Sequence, residues 1–315
     1  MPHGRIQKNI LHLYENLQIP IYFKRVGKML ESTTKRKEID YAGSSFRAKE
    51  GQDITELEHP SEEETVSVVI PLYNEEKTIR EVLERIPNHR PTEIIVVDDG
   101  SIDNSVEAAS KVEKNIKIIR HIENKGYGAS LLEGFRQSNG DIIVTLDSDG
   151  QHEPQQIPKL LIPILQDRAD IIVGSRYLGR SHYRVPLHTR LGELFISLCL
   201  QVLYRQKVGN NQCGFRAFRR EALNSVMPLK STRFGFNTEI LFKAAKLGFK
   251  ISEVPVTIKP REHGSSYVQL AKILRSILIV LFLYLFLKLR MDKIFPQSIV
   301  GFFSTKIRQI IEDYL

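Results

Sequence analysis

Between residues 66 and 175, short continuous apolar runs rich in β-branched residues alternate with amphipathic stretches. That alternation constrains the fold more than any other feature of the chain. VSVVIPL, EIIVVD, IKIIR, DIIVTL and DIIVGS have the length and composition of strands buried on both faces. Between them, EEKTIREVLERI, SVEAASKVE, GYGASLLEGFRQS and PQQIPKLLIPIL read as helices, the last broken at Pro163. Strand–helix alternation predicts an α/β fold with a mostly parallel central sheet flanked by helices. Past residue 185 the pattern continues with a long helix over about 187–205, a short strand in GFRAFRR, a helix in NTEILFKAAKLG that stops at Gly248, and a strand in KISEVPVTI. Ligands of such sheets bind outside the carboxyl ends of the strands. The polar residues follow that rule, since YNEE, DDGS, DSDGQ and GSR each begin where an apolar run ends. These clusters predict one shared site.

The flanks have a different character. Residues 1–65 carry Ile6, Ile10, Leu13 and Leu17 at helical spacing ahead of Pro20, and then a charged stretch over 32–65 that reads as a linker. Residues 66–266 form the folded domain, and 267–315 an apolar and basic tail. The uninterrupted apolar run there is 277–287. At 1.5 Å per residue it reaches roughly 16 Å, about half of a hydrocarbon core. A helix lying in the membrane interface, flanked by Lys272, Arg275, Lys288, Arg290 and Lys293, fits better than a full span. A buried core or dimer helix is the alternative.

The net charge of +8 points to phosphorylated ligands or an anionic membrane surface. With no zinc spacing and no RNA-binding signature, no nucleic-acid partner is expected. Two cysteines, Cys199 and Cys213, cannot build a disulfide framework and read as buried thiols in a reducing compartment. The N-terminus has no apolar core before a small-residue cleavage site, so the site is expected on the cytoplasmic face of a membrane, in a peripheral or monotopic protein.

Carboxylates repel one another, so Asp147 and Asp149 need a reason to stand two residues apart at a strand end. Alternate residues of a strand point the same way, which aims both at one point if strand geometry persists past Leu146. Gln151 adds an amide oxygen. Oxygen ligands suit Mg²⁺ or Mn²⁺, and a metal there neutralises a diphosphate leaving group. A strand followed by DxDG also resembles the nucleophile strand of haloacid-dehalogenase-type phosphatases. Against that reading, the motif does not open the domain, Gln151 follows Gly150, and no downstream GDxxxD is present. A dinucleotide fold lacks support because IPLYNEE stands where GxGxxG is required. Tyr73 offers a stacking or hydroxyl contact to a nucleotide, and Asp98 or Asp99 an acceptor for base or ribose. DDGS also reads as helix-capping and turn chemistry. Arg176 sits where a phosphate meets a strand end, with Arg190, Arg216 and Arg261 as further phosphate candidates. Glu239 lies near a helix start, where the dipole favours an acid.

Taken together, VVIPLYNE, VVDDGS, NKGYGASLLEGF, DSDGQHEP, GSRY, QCGFRAF, FNTEI and EVPVTIKPREHGSS resemble the family-2 inverting glycosyltransferases of GT-A fold. Their order is most similar to the dolichol-phosphate mannose synthase and polyprenyl-phosphate glycosyltransferase branch. The resemblance covers about 66–266. It implies that Pro71, Tyr73, Glu75, Val97 and Asp99 hold the nucleotide of a nucleotide-sugar donor, with Ser148 touching it through its backbone. It implies that Asp147 and Asp149 bind metal and diphosphate, that Gln151 completes the metal shell, and that Arg176 and Arg261 contact donor diphosphate or acceptor phosphate. Arg190 is similar in placement to an acceptor-phosphate arginine. Two departures stand out: Tyr267 where the branch has lysine, and Asn210 where many relatives have Asp. The implied activity is transfer of a hexose from a GDP-mannose or UDP-glucose type donor to dolichyl or polyprenyl phosphate. The alternatives are transfer to a glycan or protein hydroxyl with Glu239 as base, and a non-enzymatic basic membrane adaptor.

Overall fold

The structure, a computed structural model, describes residues 64–88, 92–179, 185–232 and 235–260. Nearly all of the 1–65 segment, Arg261 and the 267–315 tail lie outside them. The described elements are β1 (Val66–Leu72), α1 (Ile79–Glu84), β2 (Thr92–Asp98), α2 (Ser105–Ser110), β3 (Ile116–Arg120), α3 (Tyr127–Gln137), β4 (Ile142–Thr145), α4 (Ile157–Leu165), β5 (Ile171–Ser175), α5 (Leu187–Tyr204), β6 (Arg216–Arg219), α6 (Arg220–Val226), α7 (Phe236–Leu247) and β7 (Ile251–Pro255).

The strands form one seven-stranded sheet in the order β3-β2-β1-β4-β6-β5-β7. The pairs β1–β2, β1–β4, β2–β3 and β5–β7 are parallel, and β6 runs antiparallel to both β4 and β5. The expected mostly parallel sheet flanked by helices is therefore present, with GFRAFRR inserted as β6 between the fourth and fifth strands. Every residue of β1, β4 and β5 is buried, as strands covered on both faces must be. The edge strands β3 and β7 alternate between buried or half-buried and exposed positions. Each fully buried Val, Ile or Leu in this core contributes on the order of 1.5–3 kcal/mol through the water it no longer meets.

Two local expectations are corrected. The fourth helix is not broken at Pro163 but runs through it to Leu165. The ring lies in the last turn, where proline removes a single intrahelical bond. The 220–226 helix was absent from the sequence reading, because RREALNSV has too short an apolar face to stand out. Gly248 ends α7 as expected, with φ 89° and its N–H donating to Ala245 O.

The strand order places β1 at the point where the chain direction across the sheet reverses, with β2 and β3 on one side and β4 on the other. The crevice at the carboxyl ends of β1 and β4 is the binding position this topology offers.

Candidate active site

Three loops converge on that crevice. The loop after β1 carries Tyr73, Asn74 and Glu75. It is laced to the DDGSIDNS loop after β2: Ser101 Oγ accepts Asn74 N–H at 3.0 Å, Ser105 Oγ accepts Glu75 N–H at 2.8 Å, and Asn74 Oδ1 accepts Ile102 N–H at 2.9 Å. Pro71 and Val97 are buried and face each other in register on β1 and β2.

The two acids of DDGS have different tasks. Asp98 is fully buried, accepts Ser101 N–H through Oδ1 at 3.0 Å, and has Arg120 Nε 3.1 Å from Oδ2. Asp99 reaches the next loop. Its Oδ1 meets His121 Nδ1 at 2.8 Å and accepts Lys125 N–H at 2.9 Å, and its Oδ2 accepts Gly126 N–H at 2.8 Å. Asp99 thus fixes the glycine turn that starts α3. The turn chemistry expected of DDGS is present, and it builds the wall of the crevice.

The acid loop departs from the expected geometry. Strand β4 ends at Thr145, and residues 148–150 form a turn with Gly150 at φ 74°. Strand alternation therefore does not aim Asp147 and Asp149; the loop contacts do. Asp149 Oδ1 accepts Gln151 N–H at 3.1 Å, and Ser148 O accepts the Thr78 hydroxyl at 2.8 Å. Asp147 Oδ1 accepts the Tyr127 hydroxyl at 3.1 Å. Gln151 donates from Nε2 to Lys259 O at 3.2 Å and accepts Lys259 N–H at 2.9 Å. The segment leading toward Arg261 thus starts against the acid loop.

Asp147 also has a built floor. Thr145 Oγ1 donates to Gly214 O at 2.6 Å and holds the QCGF segment under the acid. A Cβ at residue 214 would stand 2.3 Å from Asp147 Oδ2, so any larger residue there has to displace the Asp147 carboxylate. The nearby His152 and Cys213 are electrically neutral there. Burial pushes His152 down to about 3, assisted by Arg176, and the Cys213 thiol up to about 12. The 4.0 Å approach of His152 Nε2 to Asp147 Oδ2 is therefore not an ion pair. On the expectation that Asp147 helps to hold a divalent metal, Gly214→Ala is expected to displace Asp147 and lower Mn²⁺ affinity at least tenfold, with the unfolding midpoint moved by only a few degrees. Manganese binding by electron paramagnetic resonance checks it.

The cationic side is formed by the loop after β5. Arg176 Nε donates to Asn210 Oδ1 at 3.1 Å, and Asn210 Nδ2 donates to Gly174 O at 2.9 Å. Arg190, on α5, places its guanidinium carbon 3.7 Å from the centre of the Tyr177 ring. Arg216 is corrected as a phosphate candidate. It is 1 % exposed and donates to the carbonyls of Cys213, Asn237 and Asn211 at 2.7, 3.1 and 2.7 Å. Burial lowers its pKa, and those carbonyls are what make the buried cation tolerable. Glu239 is also committed: its carboxylate accepts Lys230 N–H at 3.0 Å and Ser231 N–H at 2.7 Å.

The family-2 glycosyl transferase model matches residues 67–227, just over half of the chain. The chain belongs to glycosyl transferase family 2. It is 34% identical to a UDP-N-acetylglucosamine–dolichyl-phosphate N-acetylglucosaminyltransferase of Methanococcus voltae, over 61% of this chain and 84% of that one. It is 35% identical to a dolichol-phosphate mannosyltransferase of Pyrococcus furiosus, over 64% of this chain and 58% of that one. Its fold matches that of glucosyl-3-phosphoglycerate synthase from Mycobacterium tuberculosis, solved with Mn²⁺, uridine diphosphate and phosphoglyceric acid. The TM-score is 0.60 at 24% identity, covering 75% of this chain and 84% of that one. This family-2 chain therefore has the GT-A fold.

Several residues that shape the crevice have no assigned contact in the sequence. Tyr127, Gly214 and Asn210 lie in or beside the quoted motifs NKGYGA and QCGF, yet nothing in their spacing tells what they touch. Thr78 carried no signal at all.

Proposed function

We propose that the chain transfers a hexose from a nucleotide-diphosphate sugar of GDP-mannose or UDP-glucose type to dolichyl or polyprenyl phosphate, with inversion. The observation that carries this reading is the position of Asp147 and Asp149 just past the end of β4, beside the loop that follows the neighbouring strand β1. Relatives named for transfer to dolichyl phosphate support the acceptor class.

The donor nucleotide lies along Pro71, Tyr73, Glu75, Val97 and Asp99, with its diphosphate toward Asp147 and Asp149. Among the described residues no group of three or more His, Cys, Asp or Glu side chains is disposed to hold a metal ion. The residues fit a hard cation completed by the substrate: two carboxylates, the Gln151 amide oxygen and diphosphate oxygens. Asp147, Asp149 and Gln151 would hold Mg²⁺ or Mn²⁺, which when bound neutralises the diphosphate as it leaves. Arg176, Arg190 and Arg261 hold the phosphate ends. The acceptor phosphate oxygen forms the new bond to the anomeric carbon from the face opposite the diphosphate, and the nucleoside diphosphate leaves with the old bonding pair. Residues 267–315 keep the protein at the cytoplasmic face of the membrane that holds the lipid. Among the described residues no helix is long and apolar enough to cross a membrane.

Glu239 separates the two acceptor classes. As a base for a hydroxyl acceptor it would need an accessible carboxylate, whereas its oxygens hold the 230–231 loop. Glu239→Gln is expected to leave kcat for transfer to polyprenyl phosphate within about threefold of wild type. A loss on the order of 10²–10⁴, the usual effect of removing a general base, would reinstate the hydroxyl reading.

A further inference from the structure

The GSRY motif contains a tyrosine that the proposed reaction does not use, and its surroundings give it a task. Tyr177 follows β5 directly. Its ring carries the Arg190 guanidinium 3.7 Å from the centroid, a cation–π contact. Its hydroxyl donates to Glu193 Oε2. Glu193 lies one turn after Arg190 on α5 and is buried, with Arg176, Arg190 and Glu253 as its charged neighbours. Its backbone carbonyl accepts Asn211 Nδ2 at 2.8 Å, which ties this turn of α5 to the loop that also holds Arg176 through Asn210. The ring is therefore fixed at its hydroxyl end by a buried acid, and the guanidinium rests on its face.

Two atoms of this node are buried without a hydrogen-bond partner among the described residues: Arg190 Nη1 and Glu193 Oε1. Buried polar atoms are almost always bonded, and an exception marks a place for a ligand or water. An unpartnered guanidinium N–H fits an anionic oxygen.

We infer that Tyr177 and Glu193 are positioning residues for Arg190, which they hold on the tyrosine ring with one N–H directed at the acceptor phosphate. The inference rests on the acceptor reading above. Neither residue touches the substrate; both act through Arg190. Burial raises the Glu193 carboxyl above its usual range, in keeping with an acid kept for its hydrogen bond.

The test is a double-mutant cycle on the full-length protein, with KM measured separately for the nucleotide-sugar and for polyprenyl phosphate. Tyr177→Phe and Glu193→Ala are each expected to raise the lipid-phosphate KM roughly tenfold, with kcat and donor KM nearly unchanged. Neither change adds to Arg190→Ala. Glu193→Gln keeps an oxygen that accepts the Tyr177 hydroxyl and is expected to restore KM to near the wild-type value. Tyr177→Phe keeps the ring and decides the matter if Glu193→Ala does not fold. An additive cycle, an equal rise in donor KM, or an unchanged lipid KM in Tyr177→Phe overturns the inference alone. A wild type that transfers nothing to polyprenyl phosphate overturns the functional reading and this inference with it.

Discussion

Asp149→Ala is expected to lower hexose transfer by about 10³-fold or more, equivalent to roughly 4 kcal/mol of transition-state stabilisation. In the proposed reaction the leaving group is a diphosphate, and charge gathers on it as the sugar departs. Arginines alone have to face that charge if the acid loop holds no cation. Asp149 sits half-exposed in the turn after β4, outside the buried sheet, so its loss leaves the core in place. The unfolding midpoint is therefore expected to stay within a few degrees, which separates this result from simple unfolding. A chelator applied to the wild type should reproduce the loss, and excess Mn²⁺ should reverse it. Radiolabelled transfer to a lipid phosphate measures both. Full transfer by Asp149→Ala, or turnover indifferent to chelator, would sink the metal assignment.

The loop that carries Asp147 and Asp149 also marks how far the sequence is legible. The apolar runs announced β1, β2, β4 and β5, because strands buried on both faces have little choice but β-branched and aliphatic residues. They also placed the acids at strand ends. They did not announce that β6 enters antiparallel beside β4. That pairing depends on contacts between residues about seventy positions apart, such as Thr145 with Arg216. The insertion matters for the chemistry, because it brings Gly214 under Asp147. The strand-alternation argument for the acid pair relied on a geometry that the turn at 148–150 does not have.

The arginines illustrate a second limit. The sequence offers Arg176, Arg190 and Arg216 alike as phosphate candidates. Burial divides them. Arg216 bonds three backbone carbonyls under the sheet, while Arg176 and Arg190 are only partly buried and share a node with Tyr177, Glu193 and Asn210. Periodicity reports which face of a strand a residue occupies, and it is silent on which carbonyls lie beneath. Glu239 does lie in the first turn of α7, as expected of an acid near a helix start, but the loop it anchors is nine residues away and carries no motif.

The free alcohol of the same lipid is expected to be no acceptor, with a rate at least about 10³-fold below that of the lipid phosphate. A hydroxyl has a pKa near 16 and attacks well only when a base removes its proton in the transition state. A phosphate monoester has a second pKa near 6 and is already an anion at pH 7. In the proposed reaction Arg176 and Arg190 position such an anion, and the acid first suited to serve as a base, Glu239, is held by backbone N–H groups. The pH dependence follows with a definite sign. Below about pH 6 the lipid phosphate gains a proton, loses nucleophilicity and loses attraction to the arginines, so kcat/KM falls. Above pH 7 the profile should stay flat, because no enzyme group has to lose a proton first. Comparable rates with the alcohol, or a rise in kcat/KM through pH 7–8, would mean that a base operates and that the acceptor class is a hydroxyl.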